Sequence, residues 1–233
     1  MDRRTLVSFD PDHFAKRVAH DGPLDALAAF RYAHEHNLWH GPETRSGPGS
    51  SLDQTAVIAD ALPELCRRYQ VRTLLDVPCG TFHWMARVEL DDVQYIGGDL
   101  VPEVVDAARR QYGTPHRCFV ELDLTRSPLP DADLLLCRDC FVHLSYADIA
   151  HALRNIRRSR LTYLLTTTFA AEAESRDVVT GDWRPINLET PPFSFPPPID
   201  LVHEMCTEQH GAFADKALGL WRVRDLPVWD TNS

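Results

Sequence analysis

The sequence predicts an α/β fold on a doubly wound, largely parallel sheet, and three observations carry that reading. Between residues 73 and 169, short apolar runs alternate with helix-patterned stretches joined by short loops. That is the rhythm of consecutive βαβ units. The run Leu134-Leu135-Leu136-Cys137 has no polar break, as expected of a strand covered on both faces. Finally, Asp76, Asp99 and Asp123 each end or closely follow an apolar run, 23 and 24 residues apart. In such a sheet the strand C-termini share one edge, at the crevice where ligands bind. Alone, each acid is equally a helix cap.

The elements follow in order. Residues 11–40 read as helical, with Asp12 as a cap of one short helix and Pro23 starting a second. Residues 41–51 are rich in Gly, Pro and Ser and read as a loop, either a linker or a lid carrying Arg45. Ser51-Leu52-Asp53-Gln54 matches a capping box for the next helix, which Pro63 should bend or interrupt. Thr73 to Val77 is the first strand, and Gly80 to about Leu90 a helix or helical turn. Strands at 94–99, 118–123, 133–138 and 161–169 follow, with helices at 101–112 and from a Ser145 cap to about Arg158. Residues 170–200, proline-rich and holding Asp177, Asp182, Trp183 and Arg184, form a long irregular excursion. A loop of that length is usually functional or mobile. Residues 199–207 and 216–224 are two further strands around a turn at 208–212. The domain reading is an N-terminal helical cap and lid over residues 1–50 and a core over 51–233.

Composition narrows the function. The chain has 233 residues, 44% of them hydrophobic, and a net charge of −10 from 34 acids and 24 bases. No Lys/Arg stripe stands out, which speaks against nucleic acid and anionic membranes as partners. There is no apolar stretch of membrane-spanning length and no signal-like N-terminus, and several of the six cysteines sit in apolar runs. These features suit reduced thiols and a cytoplasmic location. Cys137-x-x-Cys140-x-x-His143 lacks the second ligand pair of a structural zinc site, and Cys137 completes a strand, so core thiols are expected and no metal.

The corner after the first strand decides between cofactors. A dinucleotide unit needs G-x-G-x-x-G there. The sequence instead reads Asp76-Val77-Pro78-Cys79-Gly80-Thr81-Phe82. One glycine cannot supply a pyrophosphate nest, and Asp76 would repel phosphate. An acid here suits a cation such as the ammonium of a methionine-like group.

These residues resemble the class I S-adenosylmethionine-dependent methyltransferases, in the "DxPCGxFxW" variant of a bacterial subgroup. The likeness covers roughly residues 70–224. It implies a mixed seven-stranded Rossmann-like sheet and S-adenosylmethionine as methyl donor. It places Asp76, Pro78, Cys79, Gly80 and Phe82 at the first motif, where further glycines of the common pattern are replaced. Asp99 with Leu100 would grip the ribose, Asp123 and Leu124 would flank the adenine, and Arg138 lies in the fourth motif. Residues 218–222 would form the closing antiparallel strand.

Other residues are read from their own chemistry. Asp139 and His143 follow the fourth strand and are the candidate general bases. Each also has a bland reading, as a turn acid and a packed or capping imidazole. Arg45 is suited to the cofactor carboxylate. Trp183, Arg184 and His203 are candidate acceptor contacts. Trp39 fits core packing better than a pocket wall. Asp182, Glu204 and Asp215 are lesser polar candidates. The expected function is methyl transfer to oxygen or nitrogen of a small molecule, a glycan unit or secondary metabolite, by a monomer or homodimer. The alternatives are a catalytically silent cofactor-binding subunit and a nicotinamide-dependent oxidoreductase.

Overall fold

The computed structural model describes residues 7–229. Seven strands form one sheet in the order β3-β2-β1-β4-β5-β7-β6. They are β1 (Thr73–Asp76), β2 (Gln94–Asp99), β3 (Arg117–Glu121), β4 (Leu134–Cys137), β5 (Tyr163–Phe169), β6 (Asp200–His203) and β7 (Lys216–Arg222). Strands β1 to β5 pair in parallel. Strand β7 enters between β5 and β6, antiparallel to both. The chain order reverses beside β1, so the C-terminal ends of β1, β2 and β4 open onto one crevice.

Helices cover both faces. On one, α3 (Leu52–Arg68) and α4 (Pro102–Tyr112) bury Ile58, Leu62, Leu65, Val105 and Ala108 against the sheet. On the other, α5 (Tyr146–Arg158) buries Ile149, Ala152, Leu153 and Ile156. The apolar β4 is wholly buried at the centre. Strand β5 carries three threonines into the core, and each hydroxyl finds a partner. Thr166 donates to the Cys137 carbonyl at 2.7 Å, Thr167 pairs with Asp139, and Thr168 accepts from the Leu188 N–H. That pairing removes most of the cost of burying them.

The N-terminal part is two short helices, α1 (His13–Asp21) and α2 (Ala26–Glu35). The second starts three residues after Pro23, because the Asp25 side chain accepts from the Ala28 N–H and fixes the N-cap there. Their own small core is Phe14, Ala29 and Ala33.

Several expectations need correction. Helix α3 runs uninterrupted through Pro63, since its buried face continues past the proline at Leu65 and Cys66. Ser51 caps the helix by accepting from Gln54, but the Gln54 amide bonds Thr207 rather than returning to Ser51. Of the two readings for residues 80–90, helix or helical turn, the structure has the second: turns and one short 3-10 helix at Met85–Arg87. Strand β3 ends at Glu121, so Asp123 lies in the following turn. The predicted turn at 208–212 contains a brief helical segment, α6 (Glu208–Gly211), with two residues in left-handed conformation.

The excursion between β5 and β6 is irregular but well anchored. Ile186, Leu188, Phe193 and Phe195 are buried in the main core. Its Asp182 carboxylate accepts from the N–H groups of Phe14 and Ala15 at 2.6 and 2.9 Å, satisfying the start of α1. The Trp183 N–H donates to the Pro11 carbonyl. The excursion therefore holds the helical cap onto the core. Among the described residues no helix is long and apolar enough to cross a membrane.

Replacing Asp182 with Ala removes both bonds to α1 and should lower stability by about 1–2 kcal/mol. Limited proteolysis should then cut first near α1, and a cleavage pattern identical to the parent protein would contradict the anchoring role.

Candidate active site

At the C-terminal edge of the sheet lies a cleft of about 1260 Å³, counting its open mouth. Asp76, Pro78, Cys79, Phe82, Asp99, Leu100, Asp123, Leu124, Arg138, Asp139, His143 and Arg45 all line it. Gly80 does not, but its N–H donates to Asp99 at 3.1 Å. Beside the cleft sits a second pocket of about 610 Å³ lined by aromatic rings and a few charged groups. Trp39, Ser46, Asp139 and His143 belong to both walls and mark where the two meet.

The corner after β1 is tight for a physical reason. Gly80 has φ +52°, and a Cβ there would stand 2.8 Å from the Ser46 hydroxyl. That hydroxyl accepts from the Thr81 N–H. The Gly/Pro-rich segment thus lies directly on the corner. Glu43 reinforces the contact, meeting His83 at 3.1 Å and accepting from the Leu52 N–H. Phe82, also left-handed, turns into a cluster with Tyr95, Tyr112 and Phe119.

Asp76 and Asp99 are both buried. Asp76 accepts from the Tyr95 hydroxyl at 2.6 Å. Asp99 accepts from the Val101 and Gly80 N–H groups. Burial dominates nonetheless: it raises Asp76 to about 7 and Asp99 to about 6. Two buried carboxyls that resist ionisation form a site that a cationic ligand relieves. Asp123 is more exposed and forms a local turn with Thr125, with Arg126 on its other oxygen.

Past β4 the chain carries the most charged part of the site. Arg138 donates two bonds to Glu204, at 2.6 and 3.2 Å, and one to the Gly49 carbonyl at 2.8 Å. Lys216 donates to Asp139 at 2.7 Å and lies 3.4 Å from Glu204. Burial works against ionising Asp139, but Arg138 and Lys216 outweigh it and hold the carboxyl well below the usual range. Asp139 is therefore a permanently charged, very weak base.

His143 is different. Its Nδ1 lies 2.9 Å from the Asp182 carbonyl, which can only accept, so Nδ1 carries the proton and Nε2 a free lone pair. Burial lowers its pKa to about 4 and keeps the ring neutral. Trp39 packs 4.7 Å away.

Three candidate residues sit elsewhere than expected. Arg184 is fully buried outside both pockets, donating to the Phe141 carbonyl and holding the turn that carries His143. His203 is exposed on edge strand β6, outside both pockets, because the β-strand alternation turns it away from the sheet's covered face. Arg45 lines the cleft, yet its guanidinium donates to the His34 and Glu35 carbonyls at the end of α2, where a cation is favourable. Trp183 walls the second pocket, and Trp39 does so too while also packing on the small N-terminal core as expected of it. Sequence reasoning missed Lys216, Glu208, Ser46 and Trp84. Lys216 opens a strand, and no local signal separates it from an edge lysine. Among the described residues no His, Cys, Asp and Glu cluster fits a metal ion, and the cysteines are free.

Stability should reflect the two raised carboxyls. Folding holds their protons more tightly than the unfolded chain does, so the stability they contribute is full below about pH 4 and is lost as pH rises to about 7. For Asp76 the loss is roughly 4 kcal/mol at most. Asp76→Asn should flatten the denaturation profile between about pH 4 and 7. An unaltered profile would show that Asp76 is not the group responsible.

A family model described as "Methyltransferase domain" matches residues 74–160. No curated protein matches the chain. Among solved structures, the methyltransferase domain of bacterial CtHen1-C is 14% identical, with a TM-score of 0.44, over 51% of this chain and 66% of that one. Human N-acetylserotonin methyltransferase, solved with its cofactor, is 18% identical with a TM-score of 0.44, over 70% of this chain and 56% of its own. The sugar N-methyltransferase KedS8 from Streptoalloteichus is 20% identical, again at 0.44, over 61% and 57%. The chain thus spans under two thirds of the length of each of these. The segment matching the methyltransferase-domain model runs from β1 to just beyond α5 and supplies the cleft's floor.

Proposed function

We propose that the protein transfers a methyl group from S-adenosylmethionine to an oxygen or nitrogen of a small molecule. The observation that carries this reading is the junction of two cavities at His143: a long acidic cleft on one side and an aromatic pocket on the other. The cleft's donor set fits the cofactor. Asp76 and Asp99 favour a cation, and Asp99 with Leu100, Asp123 and Leu124 line the stretch suited to ribose and adenine. When bound, S-adenosylmethionine supplies an electrophilic methyl on a positively charged sulfur.

The chain's own residues then have three tasks. Trp39 and the segment through Ser46 separate the junction from bulk water. The walls of the second pocket align the acceptor. His143 Nε2 accepts the acceptor's O–H or N–H hydrogen bond and takes its proton as the new bond forms. A base with a pKa of about 4 suits a late proton transfer, because an oxygen gaining a methyl becomes far more acidic. Asp139 acts on the same junction through charge alone. The acidic balance of the chain supports a small molecule over nucleic acid. The cysteine usage supports a cytoplasmic setting, and the residues named for the site all come from one chain, which suits a monomer or a homodimer.

Calorimetry with S-adenosylhomocysteine tests the cofactor assignment, and Asp99→Ala should weaken that binding more than tenfold. Binding of NADH in its place would defeat the reading in favour of an oxidoreductase. With an acceptor in hand, His143→Gln should lower kcat roughly 100-fold with KM little changed. Tight cofactor binding with no transfer across a broad acceptor screen would instead identify a silent subunit.

A further inference from the structure

The second pocket has a charge imbalance that its surroundings do not correct. Its polar end is formed by Asp139, Lys216 and Glu208. These groups crowd one point: a side-chain carbon on Gly49 would lie 3.2 Å from Asp139 Oδ2, 3.3 Å from Glu208 Oε2 and 3.4 Å from Lys216 Nζ. Behind them Arg138 is paired with Glu204 at 2.6 Å, and Lys216 is divided between Asp139 and Glu204. Among the described residues, three carboxylates in this cluster therefore face two cations. Arg138 and Lys216 answer Asp139 and Glu204, so the half-buried Glu208 leaves this end of the pocket with a net negative charge. Glu208 is the carboxylate left over: among the described residues its hydrogen-bond partner is the Cys206 thiol, at 3.5 Å.

The rest of the pocket suits such a charge on a flat carrier. Trp183 packs edge-on against Phe213 at 5.2 Å and against Phe169 at 6.4 Å, and Phe9 meets the same indole at 6.2 Å. All four rings line the pocket. Aromatic faces attract cations as well as apolar bodies, by about 0.5–2 kcal/mol each. An anionic ligand would meet excess negative charge and a lysine already committed. A neutral one would leave Glu208 uncompensated.

We propose that this pocket binds an organic amine in its ammonium form, carried on a planar apolar body, with Glu208 as the residue that selects the charge. This deepens the proposed function, on which it rests for the bound amine being the acceptor; the methylated atom is then a hydroxyl or ring N–H elsewhere on its body, since an ammonium has no lone pair to attack the methyl. Lys216 and Arg138 fix Asp139, and Glu208 is left to complete the ammonium's surroundings.

The test uses three indoles of the same shape: tryptamine, its alcohol tryptophol, and indole-3-acetate. Each is titrated into the full chain by calorimetry, with and without saturating S-adenosylhomocysteine. Tryptamine should bind at least tenfold more tightly than tryptophol, and the acetate most weakly. Glu208→Gln should cut the preference for tryptamine about fivefold and leave tryptophol unchanged. Equal or tighter binding of tryptophol, an undiminished preference in Glu208→Gln, or no binding of any indole overturns the proposal. If S-adenosylhomocysteine fails to bind, the methyltransferase reading falls, while the indole series without it still decides the charge preference.

Discussion

The arrangement around the site depends on one buried ionic cluster. Arg138 and Lys216 reach Asp139 and Glu204 across four elements of chain: the turn after β4, the end of β6, the start of β7 and the segment before α3. Losing one partner of such a pair commonly costs 3–5 kcal/mol, since the survivor is left charged in a poor solvent. The cluster also sets the chemistry. It forces Asp139 to stay ionised and so a poor base, beside the neutral imidazole of His143. And through the Gly49 carbonyl it fixes the segment that forms part of both cavity walls.

Two cavities sharing one wall explain why the cap is stitched so tightly. The Asp182 side chain caps α1 while its carbonyl sets the tautomer of His143. The neighbouring Trp183 is at once a pocket wall and a backbone donor to Pro11. Residues of the excursion thus bind the N-terminal helices and orient the side chains at the junction of the two cavities with the same few atoms.

Much of the fold was legible because strand and helix periods are local. β1, β2, α4, α5 and β7 fall close to where apolar spacing and Ser145 or Pro102 put them. The aspartates of the crevice were legible through their spacing along the chain, which follows from one βα unit per strand. What escaped was non-local. Pro63 is tolerated only because a sheet lies beneath its helix. The Gln54 amide abandons the capping box for Thr207, 153 residues away. Arg45, Arg184 and His203 had the right chemistry for a site, but only packing decided that they bond carbonyls or face solvent. Conversely, Lys216 and Glu208 gain meaning solely from tertiary neighbours.

The position of β7 has a consequence for the order in which the protein assembles. The parallel strands and the acidic corner are complete in the chain by residue 169, but the strand that fills the gap between β5 and the edge arrives last. Asp139 meets its lysine across 77 residues of sequence. A nascent chain can therefore hold Asp76, Asp99 and Asp123 at the crevice while Asp139 and the Arg138 guanidinium still lack half of their counter-charges. Closure of the second pocket is tied to the final strand, so the cleft and the pocket become complete at different points along the chain.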